Sequence, residues 1–327
     1  MPVLQPPSYR PPFPFTSGHM QTVYPTLFRK TPATHPVRER LELDDGDFLD
    51  IDWHHAADNN RAKLAVISHG LEGNSRKKYP LGMAKALTDH GWNAICLNFR
   101  GCSGEPNRLP RLYHSGVTDD LHRVINHGLG QGFGSVALIG FSMGGNQTLK
   151  YLGEAPGLVP QAVCGSVVFS VPCELTDSGR VLDRLSNRPY MHYFMKGLKA
   201  KVREKADRFP DLIDVDGLDD MITFRPFDDK YTAPLHGFKD ASDYYRQCSA
   251  ARFLETIEVP TLIVQAQDDP FLAASCYPVE AAQQNEQLFL ELPEFGGHVG
   301  FMGNWTEPYY WSEKRAVSFL EELMPAR

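Results

Sequence analysis

The sequence predicts an α/β fold with a mainly parallel central sheet. Short apolar runs at residues 64–68, 93–98, 136–139 and 162–169 alternate with segments of helical spacing. Runs of this length and composition are typical of strands that are buried on both faces of a sheet. Alternating strands and helices indicate a parallel sheet that is covered by helices.

The flanking segments complete this prediction. Two strands at residues 38–43 and 48–53 precede the first apolar run, and Asp44-Asp-Gly46 between them is a hairpin signal. Helices are predicted at 79–90, 117–129, 146–152 and 311–323, and the last two strands at 260–265 and 287–292. We therefore expect residues 38–172 and 259–327 to form one α/β core around a mainly parallel sheet.

The alternation stops at Pro172 and is replaced by a polar, helical stretch over residues 173–258. We expect this stretch to be a helical cap over the carboxyl-terminal edge of the sheet, although it could also be further scaffold. A helix is expected within 183–205. Four of its side chains recur at helical spacing and could line a pocket or fill the core of the cap: Tyr190, Tyr193, Phe194 and Leu198.

Residues 1–37 are rich in proline and aromatic residues and show no clear period. We expect an extended N-terminal arm that packs on the body rather than a separate domain. Within it, Ser17-Gly-His-Met-Gln-Thr22 is a compact polar stretch whose purpose the composition does not reveal.

Composition narrows the class of protein. The 327 residues carry a net charge of −7 and no long basic block, which argues against nucleic acid as a main partner. The six cysteines are scattered without a C-x-x-C pair, so neither a zinc site nor a disulfide framework is indicated. The N-terminus lacks an apolar signal core, and no apolar run approaches the roughly 20 residues of a membrane span. These features favour a soluble cytoplasmic protein.

The most informative motif is Gly140-Phe-Ser142-Met-Gly144, which follows the apolar run 136–139 and precedes a helical segment. A serine at a tight strand-to-helix turn is the arrangement of a nucleophile elbow, in which the hydroxyl stands above the sheet. A plain glycine-rich turn is the alternative. We predict that Ser142 is a nucleophile.

The order of catalytic groups in α/β-hydrolases is serine, then acid, then histidine. Only His298 follows the last predicted strands, and it lies in the glycine-rich loop Phe295-Gly-Gly-His298-Val-Gly300. We predict that it is the general base. Glycine-rich loops after a strand allow an imidazole to reach over the sheet.

The acid is predicted at the end of strand 260–265, where Asp268 and Asp269 are adjacent. Two aspartates at this position could also simply form a turn. In related hydrolases the acid commonly stands three residues after a small residue that ends the strand, and Ala266 is that residue here. Pro270 also biases Asp269 towards an extended backbone. Asp269 is therefore favoured, with Asp268 as the alternative.

The oxyanion that forms during acyl transfer needs backbone N–H donors. We predict one at Met143, directly after the nucleophile, and the other at Leu71, in the loop after strand 64–68. Gly70 would let that backbone approach the substrate. His69 belongs to this loop and is expected to be structural, because the chain order excludes it as the base.

Together these residues resemble the YheT-like hydrolases, a branch of the α/β-hydrolase superfamily known as AB hydrolase family four. The matching stretches run from residue 18 to residue 301: Gly18-His-Met-Gln-Thr22, His69-Gly-Leu-Glu-Gly73, Asn98-Phe-Arg-Gly-Cys-Ser-Gly104, Gly140-Phe-Ser-Met-Gly-Gly-Asn146, Asp268-Asp-Pro-Phe271 and Gly297-His-Val-Gly-Phe301. The resemblance implies a carboxylester hydrolase in lipid metabolism that needs no cofactor and no metal. It also implies small-molecule esters with short to medium acyl chains as substrates.

Three functions are candidates for a protein with these residues. An esterase would form an acyl-enzyme on Ser142 and hydrolyse it with water. An acyltransferase would pass the same acyl group to an alcohol, and the sequence does not separate the two. A non-catalytic binding protein is a third possibility, against which the intact Ser142, Asp269 and His298 argue. The acyl chain length, the alcohol portion and the oligomeric state are left open.

Overall fold

The computed structural model describes residues 4, 9–58, 60–304 and 307–324, which build one sheet of eight strands flanked by helices. The strands are β1 (Val37–Glu42), β2 (Phe48–His54), β3 (Lys63–Ser68), β4 (Asn93–Leu97), β5 (Ser135–Phe141), β6 (Val163–Phe169), β7 (Thr261–Val264) and β8 (Leu288–Glu291). Their spatial order is β1-β2-β4-β3-β5-β6-β7-β8. β1 and β2 pair antiparallel, as do β2 and β4, and every other pair is parallel. The predicted α/β class is confirmed.

The central strands are buried on both faces, as their apolar composition predicts. In β3 and β5, Leu64, Val66, Leu138 and Ile139 are each at most 1% exposed. Separate apolar clusters lie on the two faces of the sheet, because alternate side chains of a strand point to opposite sides. Since the strands from β3 onward are parallel, their carboxyl ends lie along one edge of the sheet. The loops that follow these strands meet at this edge.

The helices are α1 (Gly18–Phe28), α2 (Lys78–Asp89), α3 (Asp119–Gly130), α4 (Met143–Glu154), α5 (Leu175–Leu182), α6 (Arg188–Arg208), α7 (Phe224–Phe227), α8 (Ala233–Leu235), α9 (Ala241–Cys248), α10 (Val279–Gln284) and α11 (Trp311–Leu323). A π-helical turn, Asp228–Thr232, joins α7 to α8. No helix in the described part of the chain is both long and apolar enough to cross a membrane.

The N-terminal segment differs from the expectation of an extended arm, because residues 18–28 form α1. The sequence does not predict this helix, because the helix begins with Gly18, contains Pro25 and leaves Val23 and Leu27 exposed. Tertiary contacts hold it instead: Lys78 donates hydrogen bonds to the carbonyl groups of Thr26 and Leu27 at its end. Most of residues 1–8 lies outside the described part of the chain.

The stretch 173–258, inserted between β6 and β7, contains α5 to α9. The helix expected within 183–205 begins later, at Arg188, and extends to Arg208. Arg184 is extended (φ −63°, ψ 149°) and a short 3₁₀ turn, Leu185–Asn187, follows it. Pro189 then stands in the first turn of α6, where a missing N–H costs nothing.

Candidate active site

Ser142 stands at the sharp turn between β5 and α4, with φ 52° and ψ −118°. This left-handed conformation is unfavourable for a residue with a side chain. The flanking glycines are required by close backbone packing: a Cβ on Gly140 would lie 2.6 Å from Gly145 Cα, and one on Gly144 would lie 2.4 Å from Ser68 O. The turn thus has the geometry of a nucleophile elbow.

The hydroxyl of Ser142 faces His298. His298 Nε2 lies 2.8 Å from Ser142 Oγ, and His298 Nδ1 lies 3.0 Å from Asp269 Oδ2 and 3.1 Å from Oδ1. An ionised carboxylate only accepts hydrogen bonds, so Nδ1 carries the proton and Nε2 is left to accept one from Ser142. The three residues lie far apart in the sequence and form one hydrogen-bonded chain.

The two adjacent aspartates point to different partners. Asp269 is buried, contacts His298 and accepts a hydrogen bond from the backbone N–H of Phe271 (2.9 Å). Asp268 accepts from the backbone N–H of Gly297 (2.8 Å). Burial, and to a lesser extent the charge of Asp269, raises the pKa of Asp268. Asp268 therefore bonds the loop that carries His298 as well as the backbone of its own turn.

The loop after β3 lies against Ser142, since a Cβ on Gly70 would be 3.2 Å from Ser142 Cβ. The N–H groups of Gly70 and Glu72 donate to the hydroxyls of Tyr79 (2.8 Å) and Tyr113 (3.0 Å). Between them, the N–H of Leu71 donates to no atom of the described chain, nor does that of Met143. Leu71 and Met143 both line the cleft beside Ser142.

His69 has a structural position. Its Nδ1–H donates to Gly70 O (2.7 Å), and its Nε2 accepts from the backbone N–H of Phe99 (3.3 Å). Burial lowers the pKa of His69 to about 3, so the ring is neutral. With both nitrogens occupied, the ring fixes the loop and has no free site for proton transfer.

A mostly apolar cleft opens above Ser142 and His298. Its apolar lining includes Leu71, Met143, Leu175, Leu182, Phe194, Leu198, Phe224, Phe227 and Phe271. Of the four α6 side chains singled out from the sequence, Phe194 and Leu198 line the cleft, and Tyr193 is 54% exposed. Tyr190 packs edge-on against Phe271, whose ring centroid lies 4.2 Å from that of His298. Such a lining suits a hydrocarbon chain.

Part of the cleft wall is polar. Asp228, in the π-helical turn, accepts hydrogen bonds from Thr232 (2.5 Å) and Tyr245 (2.6 Å). Removal of water around this carboxyl raises the pKa of Asp228 to about 6. Tyr244 donates to Ser115 Oγ (2.9 Å) nearby.

The sequence analysis does not predict several residues of the site. Among the described non-glycine residues, positive φ occurs at Glu72, Ser142, Ser170, Val299 and Phe301. These residues lie in the loops that surround the elbow, and such clustering of strained backbone is a property of functional sites. Glu72 is held by Tyr113 and by Lys201 of α6, both of which donate to Oε1. No short motif marks these contacts, because their partners are distant in the sequence.

Comparisons with known proteins agree with this geometry. A family model described as the alpha/beta hydrolase fold matches residues 65–209. "Putative esterase YheT" of Escherichia coli is 37% identical, covering 96% of this chain and 93% of its own. "Phospholipase ABHD3" of Mus musculus is 29% identical over 93% of this chain and 76% of its own.

Among solved structures, the esterase Pf2001 of Pyrococcus furiosus superposes with a TM-score of 0.57 at 16% identity, and the match covers 99% of both chains. At this identity the likeness shows the fold alone. The relationship to YheT is much closer and spans almost the full length of both proteins. The chain therefore belongs to the YheT-like branch of the α/β-hydrolase family.

Proposed function

We propose that this protein is a serine carboxylester hydrolase that cleaves short- to medium-chain acyl esters through an acyl-enzyme on Ser142. The observation that carries the proposal is the hydrogen-bonded chain from Ser142 through His298 to Asp269, at the floor of an apolar cleft. YheT and ABHD3 are named as ester-cleaving proteins, which supports the same class of reaction.

In the first half-reaction, Ser142 Oγ attacks the ester carbonyl carbon while His298 Nε2 accepts the hydroxyl proton. Asp269 holds the ring with Nδ1 protonated and stabilises the imidazolium that forms. The N–H groups of Leu71 and Met143 donate to the developing oxyanion. His298 Nε2 then donates this proton to the oxygen of the ester's alcohol portion as its bond to the carbonyl carbon breaks. The alcohol departs, and the acyl group remains bound to Ser142 Oγ.

The second half-reaction repeats these steps with water. His298 Nε2 takes a proton from the water, whose oxygen attacks the acyl carbon. The second tetrahedral intermediate collapses, the carboxylic acid leaves, and the proton returns to Ser142 Oγ. The two halves together consume one ester and one water and release one alcohol and one carboxylic acid.

We propose that the stretch 173–258 is a cap that forms the acyl site over Ser142. Phe194 and Leu198 of α6, together with Phe224 and Phe227 of α7, supply apolar surface on the cap side of the cleft. Burial of each methylene contributes about 0.8 kcal/mol, so a cleft of this kind favours acyl chains that fill it.

The test is hydrolysis of p-nitrophenyl esters from acetate to longer acyl chains by the wild type and by Ser142→Ala. We expect turnover to peak at an intermediate chain length and to fall by several orders of magnitude in the variant. Turnover by Ser142→Ala equal to the wild type would refute the mechanism. Product analysis with added alcohol separates hydrolysis from acyl transfer, and a wild type that binds but cleaves none of the esters would indicate a binding protein.

We further propose that the protein works in a reducing compartment such as the cytoplasm. All six cysteines are free, and all except Cys164 are buried. Isolated thiols of this kind are normal where disulfides do not persist. Fractionation of cells with an antibody against the full chain would test the location.

A further inference from the structure

The loop that carries His298 is held by its backbone at three successive N–H groups. The N–H of Gly297 donates to Asp268 Oδ1 (2.8 Å), that of His298 to Thr22 Oγ1 (2.8 Å), and that of Val299 to Ser170 Oγ (2.9 Å). The three acceptors come from three distant parts of the chain. The loop therefore depends on its surroundings, and not on regular secondary structure, for its position.

Thr22 is the acceptor for His298 itself. Its hydroxyl donates to Gly18 O (2.7 Å), one turn earlier in α1, and accepts from the His298 N–H. The first bond orients the hydroxyl so that a lone pair faces the loop. The two residues are 276 positions apart in the sequence, and helix α1 brings the hydroxyl to the loop.

Helix α1 also lies in direct backbone contact with this region. A Cβ on Gly300 would lie 2.2 Å from Gln21 O, and one on Gly297 would lie 2.4 Å from Gly18 O. A Cβ on Gly18 would lie 1.9 Å from Asp268 O. These approaches leave no room for side chains. A shift of α1 would therefore displace the His298 loop on one side and the turn that contains Asp268 on the other.

The helix is anchored well enough to act as a support. Gln21 is fully buried and accepts a hydrogen bond from Tyr9 (2.6 Å). At the other end, Arg29 forms a salt bridge with Glu313 of α11 (2.6 Å), and both side chains are at most 10% exposed. The hydroxyl of Thr22 is therefore presented from a fixed element.

We propose that Thr22 is a positioning residue for His298: its hydroxyl, presented by α1, holds the backbone of the base so that Nε2 stays aimed at Ser142. The inference rests on the proposed function, because it matters for catalysis only if His298 is the base. Losses in turnover follow from small displacements, since a misplacement of about 1 Å costs on the order of 100-fold in rate. Deleting the hydroxyl would also leave the His298 N–H without its acceptor.

The test compares four variants of the full chain. Thr22→Val and Thr22→Ala remove the hydroxyl, and the alanine avoids any clash of the added methyl with Gly18 O. Thr22→Ser keeps the hydroxyl. Thr26→Val is the matched control, because Thr26 lies one turn further along α1 and is exposed, and its hydroxyl donates to the carbonyl of Thr22 (3.3 Å) rather than to the His298 loop.

Two measurements are made. One is kcat and KM on a p-nitrophenyl ester, with Ser142→Ala in the same assay and thermal melts on every variant. The other is amide hydrogen exchange of the peptide spanning residues 295–301, which needs no turnover. We expect Thr22→Val and Thr22→Ala to lower kcat about 10- to 100-fold with KM within about twofold, and to exchange faster at 295–301. Thr22→Ser and Thr26→Val should resemble the wild type in both.

Unchanged exchange in both hydroxyl-deleted variants would overturn the proposal whatever the enzyme activity. So would faster exchange with kcat equal to that of Thr26→Val, or a kcat loss that only follows the fraction of unfolded protein in the melts. Turnover that survives in Ser142→Ala would instead refute the proposed function, and the exchange data would still decide whether Thr22 holds the loop.

Discussion

The carboxylate of Asp269 straddles Nδ1 of His298, with Oδ2 at 3.0 Å and Oδ1 at 3.1 Å. Replacing it by asparagine keeps the volume but offers an N–H₂ group that stabilises the wrong tautomer of the imidazole. We expect Asp269→Asn to lower kcat by about 10⁴-fold, measured by steady-state hydrolysis of a p-nitrophenyl ester.

Asp268→Asn is the natural control, since Asp268 bonds the Gly297 N–H, whereas His298 Nδ1 bonds Asp269. It should cost far less in rate and mainly stability, around 1 kcal/mol. If Asp268→Asn is inactive and Asp269→Asn is near wild type, the acid is misassigned by one residue. If both stay active, the acid lies elsewhere.

Acyl-chain preference should depend on α6. Phe194 lines the cleft, so Phe194→Ala enlarges it, and we expect the optimal acyl chain of the p-nitrophenyl series to become longer. The rate on the acetate ester should change less, because its acyl group does not reach this wall. Tyr193→Ala is the control, since Tyr193 is exposed beside it. An unchanged profile for Phe194→Ala would assign the residue to the core of the cap.

The contact between α6 and the loop after β3 predicts an effect on stability. Lys201 donates to Glu72, whose side chain is 9% exposed, and Gly197 of α6 packs directly over that carboxylate. Lys201→Met leaves the carboxylate without its cation, and we expect a loss of about 3 kcal/mol in the free energy of unfolding. Lys199→Met should change it by less than about 0.5 kcal/mol, because Lys199 only bonds an exposed carbonyl. Equal urea midpoints for the two variants would contradict this role.

The titration of Asp228 predicts how stability depends on pH. Its pKa in the folded protein is raised to about 6, whereas an unfolded aspartate titrates near about 3.9. The native state therefore binds the extra proton between these values, and the stability it contributes below about pH 4 is lost as the pH rises through about 6. Asp228→Asn stays neutral throughout. Urea unfolding at several pH values should show its stability relative to the wild type rising by on the order of 2 kcal/mol from pH 4 to pH 7. A constant difference would contradict the shift.

The sheet is predictable because its strands are local patterns. Each of the eight strands coincides with a run singled out by its apolar or alternating residues, within a few residues at the ends. Helix α1 is different, because Gly18 and Pro25 disfavour a helix and its outer residues are apolar and exposed. Only its contacts with the rest of the fold select the helical state, and no window of the sequence contains them.

The candidate site likewise contains residues that the sequence predicts and residues that it does not. Ser142 and His298 are identified by a motif and by chain order, which are properties of the sequence. The polar stretch around Thr22 had no evident purpose, because its partner is the backbone of His298. The role of Glu72 is likewise not visible in the sequence, because its partner Lys201 lies in the distant helix α6. Contacts that depend on two distant segments need the fold before they can be recognised.

The central claim, that Ser142 is an activated nucleophile, is tested most directly by a fluorophosphonate probe followed by peptide mass spectrometry. We predict one label per chain on the peptide that contains Ser142, slow labelling of Asp269→Asn, and none of Ser142→Ala. Stoichiometric labelling of Ser142→Ala, or a wild type that takes up no label while it hydrolyses esters, would contradict the account.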